Sequence, residues 1–342
     1  MRVLVPYDGG ELSEQAAIMA IELLAHHSLE VILLHAAPDA QHATDARAAL
    51  DAVTVRIAGS PAAVRAASTI GRPDQEIVRY ADQHGVDLIA MSTQGRPFLT
   101  RMLLGSVTDR VIRTSPVPVL VLHPPTMSVD SVSPPAGRKL KILAPLDGSP
   151  MAEEAVDMAV SLFRPERVDL TLITTVASPL LEGFAHDIFT DLATRLRARG
   201  THVLTLVKHG EAADEIARLA VEDGYDLIAM STHGRAMLAR ALLGSTTDRI
   251  VRISKVPVLV IHPASMQTPH DPVSGEEINP AATAYTSEYH GRVYTFTSLE
   301  HKQQFDGTPD AFVDRGAAAG DGPVSVGDGF AEGVEVRLPP RV

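Results

Sequence analysis

Short apolar runs of strand length alternate along the chain with stretches of helical length, and the series is written twice. In the first series Arg2 to Pro6 reads as a strand, Leu12 to His26 as a helix and Glu30 to Ala36 as a strand, and a second helix ends near Gly59. A strand around Val64 to Ile70, a helix from Asp74 to His84, a strand from Val86 to Met91, a helix after Ser106 and a strand from Val117 to Leu122 follow. Runs such as Val31-Ile32-Leu33-Leu34 and Leu88-Ile89-Ala90-Met91 are apolar at every position, as a strand covered on both faces must be. The order predicts an α/β fold, a parallel sheet between helix layers. The second series places strands at Lys141 to Pro145, Asp169 to Thr175, Val203 to Val207, Tyr225 to Met230 and Val256 to Ile261.

A constant offset of 139 positions carries Asp8 onto Asp147, Gly71 onto Gly210, Gly85 onto Gly224 and His123 onto His262. Two copies of one domain are the natural parse, at residues 1–125 and 139–264 with a linker at 126–138. Each copy has the common domain size and can bury a core of its own. With no cysteine, disulfides are excluded. No apolar run approaches the roughly 18 to 20 residues of a membrane span, and Met1 to Pro6 is too short for a signal peptide and reads as a first strand. The expectation is a cytoplasmic protein without a membrane partner. A net charge of −12, with no cluster of Lys and Arg, argues against nucleic acid as a partner.

Within each copy one stretch carries candidate chemistry. Gly95 to Ser106 returns as Gly234 to Ser245, with Gly105-Ser106 and Gly244-Ser245 each leading into a helix. Ser106 and Ser245 are followed three residues later by Asp109 and Asp248, which predicts a capping box with serine at the N-cap. Gly105 and Gly244 lack a Cβ and let a ligand approach the backbone. Free amides and the helix dipole then suit an anion. Strands one and four end at Asp8 and Ser92, which puts both loops at the carboxyl edge where doubly wound sheets bind ligands. The plain alternative is that Gly-Ser is a good helix start and Asp8 a turn residue. No catalytic constellation stands out: His35 is replaced by Thr174 in the second copy, His233 by Gln94 in the first, and His123 and His262 read as surface residues after an edge strand. No Walker-type lysine follows the glycines.

On these residues each copy resembles the universal stress protein family, whose nucleotide-binding members carry G-x-x-G, nine residues, then G-[ST]. Here the motif reads Ser92-Thr93-Gln94-Gly95, nine residues, Gly105-Ser106, and again Ser231-Thr232-His233-Gly234, nine residues, Gly244-Ser245. The first glycine is serine in both copies. If that position requires a positive φ, its side chain costs on the order of 1–2 kcal/mol; alternatively the hydroxyl donates to a phosphate.

The resemblance implies adenine-nucleotide α-hydrolase-like, Rossmann-like domains with parallel five-stranded sheets. It implies ATP, ADP or AMP as ligand, with Mg2+ arriving on the nucleotide and no metal held by protein ligands. The residues it assigns to the nucleotide are Pro6, Asp8, Ala36, Met91, Ser92, Gly95, Gly105, Ser106, Val107 and Thr108 in the first copy. In the second they are Pro145, Asp147, Thr175, Met230, Ser231, Gly234, Gly244, Ser245, Thr246 and Thr247. The aspartates would meet the adenosine part, and the threonines would offer backbone or hydroxyl donors. Val117 to Val121 and Val256 to Val260 resemble the family's dimerisation strand; proline belongs on an edge, so the copies would form an intramolecular pseudo-dimer, and whole chains could pair as a homodimer. The expected function is a stress-response regulator holding an adenine nucleotide with little or no turnover. The alternatives are a nucleotide-free scaffold and a slow ATPase or autophosphorylating protein with Ser106, Thr108, Ser245 and Thr247 as acceptors.

Beyond Pro263 the composition shifts, with half of the chain's aromatic residues (Tyr285, Tyr289, Tyr294, Phe296, Phe305, Phe312, Phe330) and five basic against twelve acidic side chains. Asp271 to Gly275, Tyr289-His290-Gly291, Tyr294 to Ser298 and Phe305 to Val313 resemble a YHS domain. Where such domains carry cysteines this segment has Ser274, Thr297 and His301, a poor set for soft metals. A small α+β module at 270–314, structural or protein-binding, is expected, followed by a flexible tail at 315–342.

Overall fold

The computed structural model describes residues 1–24, 28–57, 62–93, 104–123, 138–176, 182–232, 243–262, 271–274, 276, 278, 285–289, 292–309 and 312. Two compact units emerge, one built on Met1–Pro263 and one within Ala264–Glu332.

In the first unit, each copy alternates strand and helix as its apolar pattern predicts. The first runs β1 (Arg2–Pro6), α1 (Glu11–Leu23), β2 (Glu30–Ala37), α2 (Ala40–Ile57), β3 (Ala63–Ile70), α3 (Pro73–Gln83), β4 (Leu88–Ser92), α4 (Ser106–Thr114) and β5 (Val119–Leu122). The second runs β6 (Leu140–Pro145), α5 (Pro150–Phe163), β7 (Val168–Val176), α6 (Glu182–Ala198), β8 (His202–His209), α7 (Ala212–Glu222), β9 (Leu227–Ser231), α8 (Ser245–Ile253) and β10 (Val258–Ile261). All ten strands form one sheet in the order β3-β2-β1-β4-β5-β10-β9-β6-β7-β8. Within each half every pair is parallel, and strand order reverses between β1 and β4 and between β6 and β9.

Strand alternation sorts the core into two layers. Val3, Val5, Val31, Leu33, Leu120 and Leu122 face α1 and α2, while Leu4, Ile32, Leu34, Val119 and Val121 face α3 and α4. Residues of the second copy continue both layers, so neither core stops at the boundary between copies.

That boundary is antiparallel, with Val119 opposite Val260, Leu120 opposite Leu259 and Val121 opposite Val258. Both strands begin later than the sequence suggests. Val117-Pro118 and Val256-Pro257 lie just before them, because proline has no N–H to place in a ladder; instead the carbonyls of Pro118 and Pro257 accept the amides of Ile89 and Ile228 at 3.0 Å. His123, expected at the surface, is buried, and its Nε2 lies 2.9 Å from the Val251 carbonyl of the other copy. Burial pushes its imidazole below the ordinary value, so it donates to that carbonyl as a neutral ring.

The second unit holds a hairpin, β11 (Tyr285–Tyr289) and β12 (Arg292–Phe296), and the helix α9 (Leu299–Gly307). Ser298 caps α9 by accepting the His301 amide at 3.1 Å. Phe296, Phe305 and Phe312 are buried together as its core.

Candidate functional site

At the carboxyl end of β1 the chain must leave the sheet and enter α1 within four residues, and a glycine in the left-handed region makes the turn. Gly9 has φ +84° and its counterpart Gly148 has φ +76°. Asp8 holds the loop: its Oδ1 accepts the Gly10 amide at 3.0 Å and the Ser13 hydroxyl at 2.8 Å. Asp147 Oδ1 likewise accepts the Ser149 amide at 2.9 Å, but Ala152 stands where the first copy has Ser13 and offers no hydroxyl; the Ser149 hydroxyl caps α5 by accepting the Ala152 amide at 3.2 Å. The turn role of both aspartates is therefore real, and it fixes where their carboxylates stand. Asp8 is exposed at the sheet edge, and Asp147 is half-buried.

On the neighbouring strands, β4 and β9 end at Ser92 and Ser231. Both serines are buried and neither lies in the left-handed region, since Arg164 is the single non-glycine with positive φ among the described residues. The steric cost anticipated for serine at these positions does not arise, because each is the last residue of a strand. Met91 and Met230, one position earlier, are buried in the layer beneath α3, α4, α7 and α8.

Gly105 and Gly244 next bring the chain back to the strand ends, their amides donating to the Thr93 and Thr232 carbonyls at 2.7 and 2.8 Å. These bonds overturn the expected capping box. Gly105 and Gly244 are the N-caps, and Ser106 and Ser245 are the first helical residues. Counted from these caps the third helical positions are Thr108 and Thr247, which carry no carboxylate to close a capping box. Asp109 and Asp248 instead pair with Arg113 and Arg252 one turn further along, through two hydrogen bonds each. The first intrahelical donors are Asp109 and Asp248, whose amides reach Gly105 and Gly244 at 2.8 Å. The amides of Ser106, Val107 and Thr108, and of Ser245, Thr246 and Thr247, precede them and have no helical partner.

The threonine hydroxyls also depart from expectation. Thr108 and Thr247 are buried, and their Oγ1 atoms donate to the Ser92 and Ser231 carbonyls at 3.0 and 2.9 Å. They tie helix start to strand end rather than facing a ligand. Ser106 and Ser245, by contrast, are exposed. Replacing Thr108 or Thr247 by valine keeps the shape but removes a buried hydrogen bond, a loss of about 0.5–1.5 kcal/mol. Urea denaturation of the two variants would reveal it as a lowered midpoint, and an unchanged midpoint would contradict this reading of the tie.

Ala36 and Thr175, near the ends of β2 and β7, complete each edge and are half-buried. One residue earlier the copies differ: His35 places Nδ1 2.9 Å from the Tyr7 carbonyl, whereas Thr174 is buried. Sequence reading set His35 aside for lacking a counterpart and gave no sign of this bond. Pro6 and Pro145 end β1 and β6. Gly95 and Gly234 lie outside the described residues. No group of three metal-ligating side chains occurs among the described residues, and none of their helices is long and apolar enough to cross a membrane.

Two doubly wound lobes sharing one sheet, each with an aspartate turn and a glycine-capped helix start at its reversal point, define a tandem α/β protein with a pseudo-two-fold axis between β5 and β10. The sequence profile described as Universal stress protein family matches residues 1–123 and 140–262. The chain belongs to that family. A universal stress protein of Mycobacterium tuberculosis is 29% identical over 185 residues, which is 51% of this chain and 61% of the relative. The chain thus matches less than two thirds of that relative's length. Bacillus subtilis YxiE, also a universal stress protein, is 26% identical over 144 residues, 35% of this chain and 97% of the relative. Among solved structures, a universal stress protein from Archaeoglobus fulgidus superposes with a TM-score of 0.58 at 21% identity, covering 77% of this chain and 98% of that one; this likeness is one of fold.

Proposed function

We propose that each tandem domain binds an adenine nucleotide, ATP, ADP or AMP, as a regulatory ligand with little or no turnover. One observation carries this reading: in both copies a turn-fixed aspartate and three amides without helical partners stand at the edge where strand order reverses. A carboxylate accepts hydrogen bonds from ribose hydroxyls or an adenine amino group. Amides at a helix start suit a phosphate, and the macrodipole adds to them. The donor set fits the ligand's two ends. Pro6, Ala36, Met91 and Ser92, with Pro145, Thr175, Met230 and Ser231, would line the space between, and Gly95 and Gly234 would complete the phosphate loops. Mg2+ would come with the nucleotide's phosphates.

In this reading the domains run 1–125 and 139–264 around a linker at 126–138, in a cytoplasmic protein. The YHS-like module at 270–314, before a tail at 315–342, serves structure or a protein partner. Ser106 and Ser245 are then the exposed hydroxyls at which slow self-phosphorylation would be sought.

Calorimetry on the full chain tests the proposal. ATP or a close relative should bind, with up to two per chain. Asp8→Ala combined with Asp147→Ala should weaken binding by about tenfold or more, as expected for hydrogen bonds to a charged group. Absence of heat with ATP, ADP and AMP would remove the proposal.

A further inference from the structure

The two helices that begin at the candidate phosphate sites also meet each other through charge. Arg113 of α4 lies 2.9 Å from Asp109 on its own helix and 3.6 Å from Asp248 on α8. Arg252 of α8 lies 2.8 Å from Asp248 and 3.9 Å from Asp109. Each arginine therefore serves two carboxylates, one per copy. These four side chains are 23–31% exposed, so solvent and salt screen them less than a surface pair. The Arg252 guanidinium holds the Asp248 carboxyl below the usual range, and Asp109 raises Arg113 further. Both aspartates lie in the first turn of their helices, directly after the amide triads at Ser106–Thr108 and Ser245–Thr247. His123 adds a mechanical link from β5 to the last turn of α8.

We propose that the two nucleotide sites are negatively coupled through this shared cluster. The inference rests on the nucleotide-binding reading above. A phosphate tail at the start of α4 stands within a turn of Asp109 and repels it. Arg113 and Arg252 relieve that repulsion by shifting toward Asp109, and both then leave Asp248. With Asp248 less neutralised, the start of α8 becomes more negative and receives a second tail less well. Linkage makes the effect reciprocal, and its size for a cluster of this exposure is at the low end of the usual scale, about fivefold in affinity.

The test is calorimetric titration of ATP into the full chain at low salt. Asp147→Ala and Asp8→Ala, each crippling one site, report the affinity of the other site alone. If the sites are coupled, the wild-type second step is about fivefold weaker than in the corresponding single-site variant. The charge-neutral variant carrying Asp109→Asn, Arg113→Gln, Asp248→Asn and Arg252→Gln should restore additivity. Raised salt should do so in the wild-type chain, which keeps the test independent of that variant's folding. A wild-type isotherm equal to the sum of the two single-site curves would overturn the coupling and leave nucleotide binding standing. A second step stronger than in the single-site variant would overturn it too. Absence of heat in every titration would remove the underlying reading and this inference with it.

Discussion

A chain carrying Leu120→Asp is expected to lose the ten-stranded sheet altogether, not to separate into two folded halves. Leu120 has no exposed surface and faces Leu259 at the centre of the antiparallel seam, inside an apolar layer running through both copies. Truncating such a leucine costs about 2–5 kcal/mol through lost transfer energy and the cavity left behind. Placing a carboxylate there adds several kcal/mol more, because no partner exists among these side chains. The sum competes with a whole-domain stability of about 5–15 kcal/mol. Escape by parting the copies is also unfavourable, since it exposes the apolar rows Val119–Leu122 and Val258–Ile261 and leaves two unpaired edges prone to aggregation. Circular dichroism and size-exclusion chromatography should find unfolded or aggregated protein, while Leu120→Met, a volume-conserving change, should cost under about 1.5 kcal/mol. A soluble Leu120→Asp chain melting as the wild type does would show that the seam contributes little.

Legibility followed the range over which each feature is decided. Strand and helix order was readable because both periods are local, and the repeat doubled the signal; even the seam was foreshadowed by Val-Pro-Val-Leu-Val. What escaped was settled by contacts remote in sequence. Ser106 reads as an N-cap until the Gly105 amide is seen to reach Thr93, which moves the helix start by one residue and frees Asp109 for Arg113. Thr108 reads as a ligand donor until its hydroxyl is found on Ser92, sixteen positions earlier. His123 reads as surface because the residue that covers it, Val251, belongs to the other copy. Asp271 figured in the sequence only as the start of the YHS-like stretch, beside the more conspicuous Ser274, Thr297 and His301, since its main partners lie 26 and 30 positions away.

Asp271 supports the second large effect. Its side chain is fully buried, and its two oxygens collect five donors. Oδ1 accepts the amides of Val273 and Ser274 at 2.9 and 3.3 Å. Oδ2 accepts the Thr297 amide at 2.7 Å, the Thr297 hydroxyl at 2.8 Å and His301 Nδ1 at 2.7 Å. Burial alone would raise this carboxyl, but the donors outweigh it and hold the group below its ordinary value. Asp271→Ala takes the shared acceptor from those half-buried donors, a loss of about 1.5–3 kcal/mol for hydrogen bonds to a charged group. Among the described residues the buried cluster of this unit is three phenylalanines, a small core with little stability to spare. Hydrogen exchange on the full chain should therefore find the amides of Thr297 to Phe305 unprotected in the variant, with those of β1 to β10 unchanged. The same carboxylate predicts the pH response. Because its folded value is depressed, its contribution is complete above the unfolded value of about 3.9 and is lost as pH falls through the lower folded value. The unit should accordingly open on acidification below about pH 4, and the alanine variant should lack that transition. Protection of Thr297 to Phe305 that persists in Asp271→Ala at neutral pH would mean that the aromatic cluster suffices and the carboxylate is dispensable.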